Sequence, residues 1–229
     1  MSDRISGISS MATRSLLAEL ASDYQQQNGV EVDFESVGGV DAARRVMSGE
    51  AFDLVVLASD AIDKLIAADR VSAHSKVDLV HSGVAVAVPV GAAQPDLSDE
   101  AAVRQAVLNA RTVGYSTGPS GVQLRRLFER WGIVQTLGQR LVQAPAGVPV
   151  GSLVARGDIA LGFQQLSELI HVDGIRVVGP LPPAIQIDTV FSAAVCSTCR
   201  QPKALRALLE FLVSPMADEA KRRHGMAPG

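Results

Sequence analysis

Apolar positions along this chain alternate between the two-residue period of strands and the 3.6-residue period of helices. Residues 4–8 read as a short strand, and Leu16, Leu17, Leu20 and Tyr24 share one face of a helix over 13–27. The stretch GVEVDFESV (29–37) alternates like a strand, and DAARRVMSG (41–49) reads as a short helix ended by Gly49. FDLVVLA (52–58) is a continuous apolar run, as expected of a parallel strand covered on both faces, and a helix follows at 60–69. This β-α-β-α-β-α order predicts a parallel sheet with helices on both faces.

The pattern then changes. SGVAVAVPV (82–90) is a long apolar strand, followed by a loop rich in Ala, Gly, Pro and Asp over 91–98. Next come a helix at 99–110, a strand at 111–115 and a helix at 121–132. Beyond LVQAPAGVPVG lie a helix at 151–156, a strand at 159–163, a helix at 164–170 and a strand at 175–178. A second long apolar run, IDTVFSAAVC (187–196), precedes a helix at 202–213 and a short polar tail helix. Two long strands thus bracket the middle of the chain. The expected architecture is α/β, with two doubly wound lobes joined by two crossing strands. Lobe one is 1–82 plus 194–229, and lobe two is 83–193. Ligands of such folds are expected in a cleft between lobes, at the C-terminal ends of strands.

Composition narrows the partners. Of 229 residues, 47 % are hydrophobic, enough for a full core, while only 4 % are aromatic, too few for base-stacking platforms. With a net charge of −3 and no long basic run, neither nucleic acid nor an anionic membrane surface is expected to bind. No apolar run reaches the ~20 residues of a membrane span. The opening MSDRISGISS lacks a basic segment followed by an apolar one, so a cytoplasmic location is expected; a periplasmic one would follow if this were a mature chain carrying a new Met. Cys196 and Cys199, in CSTC, lack the two further ligands that a zinc site needs and read as incidental.

Candidate chemistry gathers at four strand-to-helix junctions: SGISSMAT (6–13), SVGGVDAA (36–43), STGPSGVQ (116–123) and AGVPVGSL (146–153). Each places Gly, Ser or Thr where a helix begins. The first amides of a helix have no internal partner, and the helix dipole adds partial positive charge. Small residues admit a ligand closely, and hydroxyls add donors, so such junctions bind anions without a basic residue. Ordinary N-capping explains any one of them. Two in each lobe favour a clamp for one small anion.

The order of motifs SSMATRSLLAEL, YQQQNGVEVDFESVGGVDAARRV, FDLVVLASDAIDKLI, VAVAVPV, GYSTGPSGVQLRRLFERWGI and GDIALGFQQLSELI resembles the bacterial extracellular solute-binding family with the type II periplasmic-binding (Venus-flytrap) fold. Within it, the chain resembles the molybdate-binding components of ABC importers. The resemblance implies that hydroxyls and main-chain amides hold the ligand at Ser9, Ser10 and Met11, at Gly38, Gly39 and Val40, at Ser116, Ser120, Gly121 and Val122, and near Val148. Gly38-Gly39 stands where molybdate binders usually carry Ser-Ser or Ser-Asn. GFQQLSE replaces a segment that often holds a Tyr, and Arg44 and Arg45 lie just inside the second junction. GFQQLSEL with VVGPLPPAIQ resembles an aconitate isomerase-like subgroup. Gln164 and Gln165 offer amide donors and acceptors suited to a carboxylate. The activity implied is an allylic proton shift on an aconitate-like tricarboxylate. The alternative is a non-catalytic binding protein for molybdate, another oxyanion or a small carboxylate.

A proton shift needs a general acid–base group. His81, in VHSG at the start of the first crossing strand, is the leading candidate because its ordinary pKa suits exchange near neutrality. Asp41 and Tyr115 are weaker ones. His171 reads as a helix cap, and His74 and His224 as surface residues. Arg125, Arg126 and Arg130 read as a solvated helix face, and Arg14 follows the first junction. GYSTG matches G-x-S-x-G, but no Asp and His pair follows suitably, and neither a Walker loop nor G-x-G-x-x-G is present. No cofactor and no metal are expected, the acidic residues being unclustered. A monomer is expected, with an ABC permease as partner only if the protein is exported.

Overall fold

The computed structural model describes residues 4–229; the first three residues of the expected lobe one lie outside them. The chain folds into two compact units, one of residues up to His81 with Val190–Gly229, the other Ser82–Thr189.

Unit one opens with β1 (Arg4–Ser10), α1 (Arg14–Asn28), β2 (Glu31–Val37), α2 (Gly39–Met47), β3 (Leu54–Ala58) and α3 (Ser59–Ala67). The long strand β4 (Val77–Pro89) leaves it for unit two. Unit two continues with α4 (Glu100–Asn109), β5 (Val113–Tyr115), α5 (Pro119–Arg130), α6 (Val134–Leu137), β6 (Leu141–Gln143), α7 (Val150–Ala155), β7 (Leu161–Gln165), α8 (Leu166–Leu169) and β8 (Ile175–Pro180). Strand β9 (Asp188–Val195) returns to unit one, which closes with α9 (Pro202–Leu212), α10 (Asp218–Arg223) and β10 (Ala227–Pro228). The sequence-based boundaries, after Ser82 and before Ala194, fall inside these two crossing strands.

In unit one the strand order is β2-β1-β3-β9-β4, with β10 on β4. Strands β2 and β3 run parallel to β1, as the βαβ pattern requires, whereas β9 runs antiparallel to β3. Leu16, Leu17, Leu20 and Tyr24 of α1 are all buried against Leu54, Val56 and the α9 leucines. Each such side chain contributes roughly 1.5–3 kcal/mol of transfer free energy. On the other sheet face, Ala42 and Val46 of α2 pack with Ile62 and Leu65 of α3. Gly29, at φ 70°, ends α1 in the left-handed conformation that glycine adopts without strain.

In unit two, β5, β6 and β7 are mutually parallel, and β4 pairs antiparallel with β7 on one edge and β8 on the other. Phe128 and Phe163 meet edge-on at 5.9 Å within a core of valines and leucines. Two features differ from expectation. Strand β4 begins at Val77 rather than Ser82, because Leu79 and Val80 are buried in the core of unit one and β10 pairs alongside. Strand β7 runs on through Gln164 and Gln165, which pair with Ala85 and Val84, so the helix expected from 164 shrinks to the single turn of α8.

Candidate functional site

The parallel sheets align the junctions in each unit. In unit one, Ser10 is in register with Val37 and Ser9 with Val56, so β1, β2 and β3 end side by side. That brings Ser9, Ser10 and Met11 to the same sheet edge as Gly38, Gly39 and Val40. A Cβ built on Gly39 would lie 3.6 Å from the Ser10 Cβ. Ser9 is spent within the fold: its hydroxyl shares a 2.8 Å hydrogen bond with Ser36 Oγ and donates to the Ser10 carbonyl at 3.3 Å. Ser10 is different. It is 6 % exposed, it caps the turn Met11–Thr13 without a side-chain bond, and its Oγ has no hydrogen-bond partner among the described residues. A buried hydroxyl left unpaired costs about 1–3 kcal/mol unless something else bonds it.

The glycines of α2 are not demanded by the backbone. Gly38 has φ −56° and ψ 134°, open to any residue, and a Cβ there would meet no atom within 4 Å. The Ala42 amide closes on the Gly38 carbonyl at 2.9 Å, so the amides of Gly39, Val40 and Asp41 precede the intrahelical ladder. Val40 is 67 % exposed. Arg44 points outward and pairs with Asp41. Arg45 is held by Glu35 and Glu50 and lies over the Phe52 ring at 5.3 Å. These cations are committed to neighbouring carboxylates.

In unit two, Tyr115 is in register with Gln143 and Phe163, so β5, β6 and β7 also end together. Ser116, Ser120, Gly121 and Val122 therefore share an edge with Val148 and the Gln164–Gln165 pair. Pro119 sets the first turn of α5, and Val122 donates to the Gly118 carbonyl at 3.1 Å. The Ser120 and Gly121 amides precede that ladder. Ser120 is buried and Val122 half exposed. Gly121 serves the chain itself: a Cβ there would sit 1.9 Å from the Ser116 carbonyl oxygen. The Val148 amide bonds the Pro145 carbonyl at 3.0 Å, and the Gly151 amide is capped by Gln164 Oε1 at 3.1 Å. The fourth junction is thus largely closed by its own neighbours.

Gln164 and Gln165, expected at a helix start, are buried at the end of β7. Gln165 Nε2 donates to Thr189 Oγ1 at 2.8 Å, leaving its Oε1 unpartnered among the described residues. The hydroxyls of Ser82 and Ser167 are likewise buried and unpartnered. Since Gln165 pairs with Val84, these three orphaned atoms belong to one end of the β4–β7 pair. Gln164 Nε2 donates to Glu168 Oε1 at 2.8 Å. Burial pushes the Glu168 carboxyl up to about 7, against the opposing pull of the Gln164 bond. Sequence reasoning passed over Glu168. The available signal was a lone carboxylate within the apolar turn LSELI, four residues after a Gln.

Of the proposed acid–base residues, His81 lies apart from the strand ends described above. His81 is exposed on β4, opposite Ala227 of β10. Strands β9 and β3 lie between β4 and β1, so roughly 14 Å of sheet separates His81 from the Ser10 strand at ~4.8 Å per strand. Asp41 is engaged with Arg44, and Tyr115 is buried in the core of unit two. His224 is not a surface residue: it is buried and meets Glu19 at 2.8 Å. Cys196 and Cys199 are free thiols, and burial pushes Cys196 up to about 12, away from reactivity. Among the described residues no group of three or more His, Cys, Asp or Glu could hold a metal ion, and no helix is long and apolar enough to cross a membrane.

Comparison with known proteins assigns the family. The model of the bacterial extracellular solute-binding protein family matches residues 5–227. The chain belongs to that family. It is 39 % identical over 227 residues, 96 % of this chain and 86 % of the other, to an aconitate isomerase from a Pseudomonas species. It is 21 % identical over 214 residues, 91 % and 83 % of the two chains, to the molybdate-binding protein ModA of Escherichia coli K12. Its fold matches the periplasmic molybdate-binding protein of Azotobacter vinelandii with a TM-score of 0.81, at 19 % identity, over 98 % of this chain and 99 % of that one. This family member therefore has the type II periplasmic solute-binding fold, the α/β architecture of two doubly wound lobes expected from the sequence.

Proposed function

We propose that the protein binds an aconitate-like tricarboxylate and isomerises it by an allylic proton shift. The observation that carries this is the 39 % identity to an aconitate isomerase along 96 % of the chain, against 21 % to a molybdate binder. The residues agree in kind. Orphaned polar atoms at Ser10 in unit one, and at Gln165 and Ser167 in unit two, are each suited to meet carboxylate or carboxyl groups. The leading amides of α2 in unit one, and those of α5 with Ser116 and Ser120 in unit two, are further donors for negative charge. In the reaction a proton leaves the methylene carbon, the double bond shifts, and a proton arrives at the former vinylic carbon. The transient negative charge spreads onto a carboxylate, where preorganised donors stabilise it.

A non-catalytic receptor for molybdate, another oxyanion or a small carboxylate is the second reading, supported by the family as a whole and by the molybdate-binding structure. In that reading the protein works in the periplasm beside an ABC permease. The isomerase reading expects work in the cytosol. A thermal-shift panel separates them, because a ligand at a hundredfold excess over its Kd stabilises the folded state by about 2.7 kcal/mol. Cis- and trans-aconitate are expected to raise Tm, and Ser10→Ala and Ser120→Ala are each tested for a smaller rise. A rise with molybdate alone would favour the receptor.

A further inference from the structure

Bonding in unit two singles out one carboxyl group. Glu168 sits in α8, directly after β7, and is half-buried. Its Oε1 accepts the 2.8 Å bond from Gln164. Gln164 is fixed at its other end by the Gly151 amide of α7. The carboxyl is thus tied through one side chain to the start of a helix, not to a cation. Its Oε2 has no hydrogen-bond partner among the described residues. On either side of Leu166, the buried Gln165 Oε1 and Ser167 Oγ also lack partners. A structural carboxylate in such a place would be paired to offset its desolvation. Among the described residues Glu168 has no such cation beside it, and it stands just past the end of β7, at the sheet edge where β5 and β6 also stop, the edge where Ser116 and Ser120 lie.

We propose that Glu168 is the proton carrier of the isomerisation, with Gln164 as its positioning residue. This rests on the isomerase reading above. Ionised Glu168 takes a proton from the methylene carbon of bound aconitate. The C–H electron pair becomes a double bond to the central carbon. The pair of the old double bond then takes the proton back from Glu168, forming a C–H bond at the former vinylic carbon. Glu168 ends as it began, so no oxidant or co-reactant is consumed. A carboxyl that titrates at about 7 holds both protonation states near neutral pH. Charged neighbours on the adjoining segments are His171 and Asp173 after α8 and Arg176 on β8. None of them moves Glu168; burial and the Gln164 bond do.

The test uses the full chain with cis-aconitate. Wild type is expected to show kcat/KM with an acid limb near pH 7. Glu168→Gln is expected to lower kcat by about 10²–10⁴-fold while still binding trans-aconitate in a thermal shift. Gln164→Met removes the bond that holds the carboxyl down, so the acid limb is expected to move to higher pH. An active wild type with an equally active Glu168→Gln variant overturns the proposal. So does an acid limb that stays put in Gln164→Met, which decides the matter should Glu168→Gln fail to fold. A wild type that forms no trans-aconitate sinks the isomerase reading instead.

Discussion

Ser9 and Ser10 are neighbours of the same type, yet only one is left unpaired. Ser9 finds Ser36 across the β1–β2 pair, while the Ser10 hydroxyl finds nothing. No property of SGISSMAT distinguishes them; the difference comes from strand register, which sets Ser9 against Ser36. The same holds for Glu168, whose character comes from burial beside β7 rather than from its residue type. Its effect on stability has a definite sign. The folded-state pKa is raised from 4.5 to about 7, so the ionised form is disfavoured by folding. Its contribution is fully present below pH 4.5 and is lost as pH rises through about 7. That loss amounts to about 1.4 kcal/mol per pH unit, at most about 3 kcal/mol. Glu168→Gln should therefore gain on wild type between pH 4.5 and 7.5 in urea unfolding, and a constant difference across that range would contradict the assignment.

At the scale of elements, the junctions were legible because parallel strands must end together wherever βαβ units repeat. The roles of individual glycines were not. Gly38 faces open space, Gly121 accommodates the Ser116 carbonyl, and Gly114 and Gly162 lie side by side to admit Ile159 and α7. Gly114 opens the G-x-S-x-G match, so packing accounts for the first glycine of that motif. A Cβ on Gly162 would sit 2.5 Å from Val154 and 3.0 Å from Val150. Gly162→Ala is expected to cost about 1–3 kcal/mol through overpacking, whereas Gly38→Ala should stay within about 0.5 kcal/mol. Denaturant midpoints of the two variants check the contrast, and equal losses would refute it. The helix expected over 164–170 failed because pairing to β4 holds Gln164 and Gln165 in β7. Helical periodicity in QQLSELI cannot register a partner strand that lies eighty residues away.

For the whole molecule, alternating periods and two long apolar runs were enough to give the α/β fold and its crossing strands. They could not give β10, whose two residues become a strand only by pairing with β4. Nor could they separate a receptor from an enzyme, since the junctions proposed to hold an anion are the same in both readings. The chemistry separates them. Cis-aconitate carrying ¹³C at its methylene carbon, followed by NMR with the intact protein, asks directly whether the double bond moves. The predicted result is trans-aconitate with the label at the vinylic carbon. No trans-aconitate, or trans-aconitate with the label still in a methylene group, would contradict the allylic proton shift.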